Sequence, residues 1–258
     1  MPDPPPLSGG SLLVLRDLRD ADGMRIGDLP PELIGPPGSD FATHPDWTPD
    51  GGAIVFTRAS VDQPMETSEW TESGDIAWLP FDGDTPGGAR VLVARTADES
   101  HFYPHVSPDG RWVVFNTGRS PGFATYPAPS GNLSSYAQVT ARLRLVAIDG
   151  GTPIELARAT HGTDVTASRA RFAPFMQRSG TVMFLSFSSK LDYGWVLEQA
   201  ALTPNELGGP GRGQLWMAAI DLARPGDPSF APFWLPMQNV EDGNYDAFWL
   251  PPGSSCPP

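Results

Sequence analysis

One cysteine and one lysine stand in 258 residues, and each scarcity removes a class of explanation. With Cys256 alone, no disulfide can form within the chain. Lys190 is the single lysine, so the remaining basic residues are all arginine, which with abundant Ala, Pro and Gly reads as a GC-rich coding bias. Positive charge is scarce altogether: 17 basic against 30 acidic residues give a net charge of −13, which repels phosphate backbones and anionic membranes. Nucleic acid is therefore not an expected partner. No stretch approaches the ~18 uncharged apolar residues of a membrane-spanning helix. The opening Met1-Pro2-Asp3-Pro4-Pro5-Pro6 has neither the basic nor the apolar region of a signal peptide. Helical periodicity is missing too, and 30 Pro with 28 Gly exceed what a helix-rich protein tolerates.

What is present is a repeat. Pro45-Asp46-Trp47-Thr48-Pro49-Asp50-Gly51-Gly52-Ala53-Ile54-Val55-Phe56 is nearly copied as Pro104-His105-Val106-Ser107-Pro108-Asp109-Gly110-Arg111-Trp112-Val113-Val114-Phe115. An extended stretch enters Ser/Thr-Pro-Asp-Gly, where Pro presets φ and Gly accepts the left-handed conformation that closes a type I turn with a bulge. An apolar strand then leaves. A degraded third copy starts at Arg171-Phe172-Ala173-Pro174, with its turn lengthened by residues 175–179, and a fourth starts at Asp246-Ala247-Phe248-Trp249-Leu250-Pro251. Between copies lies a recurring pair of strand-like runs: 75–79 with 90–93, 143–147 with 153–156, and 215–220 with 233–235.

Each unit is thus four short strands. The turn prolines Pro49, Pro108, Pro174 and Pro251 are 59, 66 and 77 residues apart. Without the loops 57–75, 116–141 and 188–213, the first two periods fall to about 40 residues, the length of a four-stranded propeller blade. The excess of the third sits in 221–228. The predicted fold is all-β, a β-propeller of four-stranded antiparallel blades, with complete blades at 43–95, 101–158 and 168–236. Residues 12–16 and 24–27 read as the third and fourth strands of a preceding blade, and the fourth copy supplies one first strand. Three complete blades plus terminal strands are a partial ring, whose open edges favour self-association or a partner that completes it. Residues 1–10 read as a disordered Pro-rich start and 253–258 as a tail.

The pattern Pro-x-Trp/Val-Ser/Thr-Pro-Asp-Gly-x-x-Val/Ile-x-Phe resembles the Pro-Asp-Gly propeller repeat of TolB-like proteins, shared with the propellers of the prolyl oligopeptidase and dipeptidyl peptidase families. The resemblance runs over residues 11–252, closely in two copies, more loosely at Pro174-Phe175-Met176 and Pro251-Pro252-Gly253. It implies a six- or seven-bladed ring, usually extracytoplasmic, that acts as a protein-interaction scaffold or gates a peptidase. It transfers no catalytic residue. The function expected is a non-enzymatic scaffold or binding module without a cofactor. The alternative is the propeller portion of a serine peptidase whose hydrolase domain is not in this chain.

Several motifs offer chemistry by letter only. Gly118-Arg119-Ser120-Pro121-Gly122 matches a nucleophile elbow, yet Pro121 has no N–H to give an oxyanion. His101 and His105 are spaced like zinc ligands on a helix, but the following Ser-Pro-Asp-Gly makes the segment extended, and strand packing is the plainer role. Asp82-Gly83-Asp84 reads as a hairpin turn and not a calcium loop. Two sets are better placed to bind. Asp46, His105, Arg171 and Ala247 share one repeat position on the channel-lining first strand, where they either form a polar ring or hydrogen-bond between blades. The three long loops all leave one face and carry Trp70, Tyr126 and Trp195 among acidic residues, a surface suited to a protein or a small ligand.

Overall fold

The structure, a computed structural model, describes residues 13–14, 33–34, 40–60, 74–83, 85–119, 141–160, 167–191, 213–240 and 242–249. Its strands are β1 (Leu13–Val14), β2 (Leu33–Ile34), β3 (Asp40–Trp47), β4 (Ala53–Ser60), β5 (Gly74–Asp82), β6 (Thr85–Pro86), β7 (Arg90–Val93), β8 (Glu99–Val106), β9 (Trp112–Arg119), β10 (Arg142–Ala147), β11 (Ile154–Glu155), β12 (Ser168–Gln177), β13 (Val182–Ser189), β14 (Gln214–Asp221) and β15 (Phe233–Trp234). Three antiparallel meanders result: β3-β4-β5-β7, β8-β9-β10-β11 and β12-β13-β14-β15. The short β6 folds back on the end of β5. The first strands of consecutive sheets lie against one another, β3 on β8 and β8 on β12. The sheets are therefore three blades of a β-propeller, with the first strand of each at the inner edge.

Local chemistry explains the repeated turn. Thr48 Oγ1 donates to Asp50 Oδ1 at 2.6 Å and accepts from Ala53 N at 2.9 Å, while Gly51 turns at φ +71°. Ser107, Asp109, Trp112 and Gly110 repeat the pattern, with 2.5 Å from Ser107 Oγ to Asp109 Oδ1 and φ +70° at Gly110. These bonds hold both aspartates ionised: the Thr48 hydroxyl draws the Asp50 pKa down, and at Asp109 the Ser107 and Arg111 bonds outweigh burial. The third copy, lacking Asp-Gly, extends β12 to Gln177 and turns through a short 3-10 segment, Arg178–Gly180.

Seams between blades form the core, because alternate residues of each second and third strand face opposite neighbours. Val55, Ile76, Leu92 and Val93 of the first blade meet Val106, Val113, Phe115 and Val146 of the second. Val114, Leu143, Leu145 and Leu156 meet Phe172, Met183, Leu185, Phe187 and Trp216 of the third. Each fully buried Leu, Val or Phe contributes on the order of 1.5–3 kcal/mol. On the outward side of the third blade the pattern changes. Where the first two present Val55 with Thr57 and Val114 with Asn116, the third presents Ser186 and Ser188, and these hold the segment 243–249: Ser186 Oγ accepts from Trp249 Nε1 at 3.0 Å and Ser188 Oγ donates to Asn244 O at 3.0 Å.

Three sequence expectations change. The second strands run on to Ser60, Arg119 and Ser189, so residues 57–60, 116–119 and 188–189 belong to sheets and not to the long loops. Their polar side chains concealed this: Thr57, Asn116, Thr117 and Ser188 are buried despite ending the apolar run. β1 pairs with Leu33–Ile34, a stretch not read as a strand, while residues 24–27 lie outside the described residues. Residues 243–249 make no strand ladder, although they occupy the place of a fourth inner strand.

Candidate functional site at the inner edge

Each inner strand carries the same bulge. Thr43 pairs with Thr57 and Asp46 with Val55, leaving His44 and Pro45 opposite Phe56 alone. Tyr103 and Pro104 likewise oppose Phe115, and Arg169 and Ala170 oppose Phe187. The first bulged residue is left-handed each time, with φ 50° at His44, 51° at Tyr103 and 53° at Arg169. Glycine would adopt this freely; His, Tyr and Arg do so at a cost of about 1–3 kcal/mol each. Proline at 45 and 104 loses no ladder bond there, since the second bulged position need not donate.

Three strained residues at one repeat position form a row. The rings of His44 and Tyr103 lie 3.9 Å apart, the Arg169 guanidinium is 5.1 Å from the Tyr103 ring, and Tyr245 continues the row 5.9 Å beyond Arg169. Arg169 Nη1 also donates to Asp246 Oδ2 at 2.8 Å. Such stacked cation and ring contacts are worth about 0.5–2 kcal/mol each, which offsets part of the backbone strain.

Beneath it runs the second row, the one singled out in the sequence. Asp46 Oδ2 accepts from Val106 N of the next blade at 2.7 Å. His105 Nδ1 accepts from Phe172 N of the blade after that at 3.3 Å and stands 3.8 Å from Asp46 Oδ2. A ring nitrogen that accepts from an amide is unprotonated, so the neutral imidazole carries its proton on Nε2. Burial lowers the His105 pKa, with the nearby Arg171 acting in the same direction and Asp46 opposing. Arg171 ends the row. It has no acceptor atom, so instead of capping the next segment it lies over the Phe248 ring at 4.3 Å and 3.7 Å from Asp246 Oδ1.

Asp46, His105 and Arg171 are thus brought together, the first two as links between blades. Trp70, Tyr126 and Trp195 lie outside the described residues, as do Ser120 and Asp84. The row His44, Tyr103, Arg169 and Tyr245 escaped the sequence reading, although the same repeat alignment displaced by two positions would have picked out these four residues.

His101 belongs to the scaffold. It is buried, its Nε2 lies 3.2 Å from the Ala94 carbonyl and its Nδ1 2.9 Å from Thr117 Oγ1. Because a carbonyl only accepts, Nε2 carries the proton and Nδ1 accepts from the threonine. Burial, reinforced by Arg144, lowers its pKa to about 4. The unfolded chain then binds a proton near 6.5 that the folded chain refuses until about 4. Stability from this residue is complete above pH 6.5 and is lost as pH falls through that window, by roughly 3 kcal/mol. Urea unfolding at pH 7.5 and 4.5 should show this loss in the native protein, and a smaller one in His101→Gln. Equal losses in both would contradict the assignment.

Among the described residues, no three His, Cys, Asp or Glu side chains converge as a metal site, and no helix is long and apolar enough to cross a membrane. No family model and no curated protein matches the chain. Solved structures of similar shape include TolB from Acinetobacter baumannii, at 14% identity and TM-score 0.36 over 84% of this chain and 50% of that one. A prolyl endopeptidase is similar at 15% identity and TM-score 0.37, over 72% of this chain and 21% of that one. An apocarotenoid oxygenase from Synechocystis is similar at 16% identity and TM-score 0.37, over 80% and 42%. The chain spans half the length of these proteins or less, and their differing chemistries are their own.

Proposed function

We propose that the chain is a non-enzymatic, propeller-type binding module whose recognition surface is the inner edge made by β3, β8, β12 and residues 243–249. The observation behind this reading is the left-handed residue repeated at His44, Tyr103 and Arg169. Strain retained at one position in three blades serves the line of side chains it aims. Asp46 and His105 of this edge are engaged as links between blades, each accepting a backbone N–H bond across a seam. A binding role needs no free base. An extracytoplasmic setting, implied by the TolB-like repeat, belongs to the same reading.

Photo-cross-linking tests it. Phe248 is 75% exposed at the edge and Met237 is 99% exposed elsewhere. Benzoylphenylalanine placed at 248 should give discrete adducts in an extract of the source organism, and the same probe at 237 should not. Equal labelling from both positions, or none from 248, overturns the reading. Fluorophosphonate labelling abolished by Ser120→Ala would show it to be an enzyme instead.

A further inference from the structure

The inner row treats its three ionisable members unequally. Asp46 and His105 each accept a backbone N–H of the following blade. Arg171 cannot, because a guanidinium only donates. Its Nε is buried without a hydrogen-bond partner, and its Nη2 stands 3.7 Å from Asp246 Oδ1, an ion pair and not a hydrogen bond. The other oxygen of that carboxylate, Oδ2, accepts from Arg169 at 2.8 Å. One face of the Arg171 guanidinium rests 4.3 Å from the Phe248 ring centre, and the side chain is 32% exposed. A planar cation is therefore held by stacking with its Nε enclosed, while the terminal Nη donors are left to a molecule from outside.

Resting on the binding-module reading, we propose that Arg171 and Phe248 form a site for a single carboxylate attached to an apolar group. The planar fork of a guanidinium matches a carboxylate through two parallel N–H bonds. The exposed Phe248 ring beside it offers an apolar shelf to whatever the carboxylate carries. Asp246, 3.7 Å from the guanidinium, repels a dianion more than a monoanion, which favours carboxylate over phosphate. This chemistry is met in two sources, the free C-terminus of a peptide ending in an apolar residue and a small aromatic or aliphatic acid.

The full chain, labelled with nitrogen-15, is titrated while the arginine Nε–H signals are followed, that of Arg171 being identified by its loss in Arg171→Lys. Probes are 3-phenylpropionate, acetate, N-acetyl-Ala-Phe with a free C-terminus, its C-terminal amide, and inorganic phosphate. The expected result is a saturable shift of the Arg171 signal with phenylpropionate and the free-acid peptide, and none with the amide or phosphate. Affinity, read in Arg171→Lys from backbone signals of residues 243–249, falls about tenfold as the bidentate geometry is lost. In Phe248→Ala, a change at an exposed ring that leaves the core intact, phenylpropionate binds no better than acetate. The tighter of the two acids names the source. An amide that binds as well as its acid, affinity unchanged in Arg171→Lys, or no shift with any carboxylate overturns the site. If cross-linking from position 248 persists alongside such a failure, only the carboxylate assignment falls; if both fail, the binding-module reading falls with it.

Discussion

Gly74→Ala should cost about 3 kcal/mol or more and loosen the first blade from the second, since overpacking against rigid neighbours is among the costlier core changes. Gly74 begins β5, and a Cβ built there would lie within 2.3 Å of the His101 carbonyl oxygen and 2.8 Å of Thr57 Cγ2. The first obstacle is backbone, so it cannot swing aside. Relief requires the second blade to move outward, which opens the seam where Val55 and Ile76 meet Val113 and Phe115. The strain is purely one of space. Gly88→Ala is the control, because nothing lies within 4 Å of a Cβ at Gly88 and its φ is not left-handed. Urea denaturation should separate the two variants, with Gly88→Ala within about 0.5 kcal/mol of the native protein. Similar midpoints for both would show that the blades do not meet as closely as described.

Phe115→Ala should be as damaging, at about 3–5 kcal/mol, by the opposite route of leaving a cavity. The ring is fully buried in the same seam and meets the His101 imidazole edge-on at a centroid distance of 5.4 Å. Two effects follow from one truncation. The seam loses apolar contact, and His101 loses part of the burial that keeps it neutral. Its pKa should therefore move up from about 4 toward 6.5, shrinking the loss of stability on acidification. Unfolding measured at pH 7.5 and 4.5 reads both effects. An unchanged pH dependence in Phe115→Ala would mean that the hydrogen bonds to Ala94 and Thr117, and not burial, set the titration of His101.

What the sequence made legible was the chemistry that acts within a few residues. Thr48-Pro49-Asp50-Gly51 and Ser107-Pro108-Asp109-Gly110 announce their turn because side chain, fixed φ and glycine all lie in one tetrapeptide, and the alternating strands beside them follow. Blade boundaries then come from counting. Strand ends were less visible, because buried polar residues such as Thr57 and Asn116 resemble loop in composition. β2 was missed for a different reason: two residues, Leu33 and Ile34, carry no period, and their pairing with β1 is set by contacts distant in sequence.

The candidate site was legible by half. Asp46, His105 and Arg171 emerged from aligning the copies, but alignment leaves open whether such a set faces a ligand or a neighbouring blade. That depended on the backbone N–H groups of Val106 and Phe172, whose direction no side-chain pattern records. The upper row was hidden more thoroughly. A left-handed bulge usually betrays itself by Gly or Asn, and here the positions hold His44, Tyr103 and Arg169.

Side chains of one blade cap amides of the next, and hydrogen exchange at the two capped amides tests this linkage most directly. In the native protein the Val106 and Phe172 amides should both be protected. Asp46→Ala should release Val106 by about tenfold or more while leaving Phe172 slow, and His105→Ala should do the reverse, as a bond to a charged or ring acceptor is worth about 1–3 kcal/mol. Fast exchange at both amides in the native protein, or protection unchanged in the two variants, would contradict the linked inner edge.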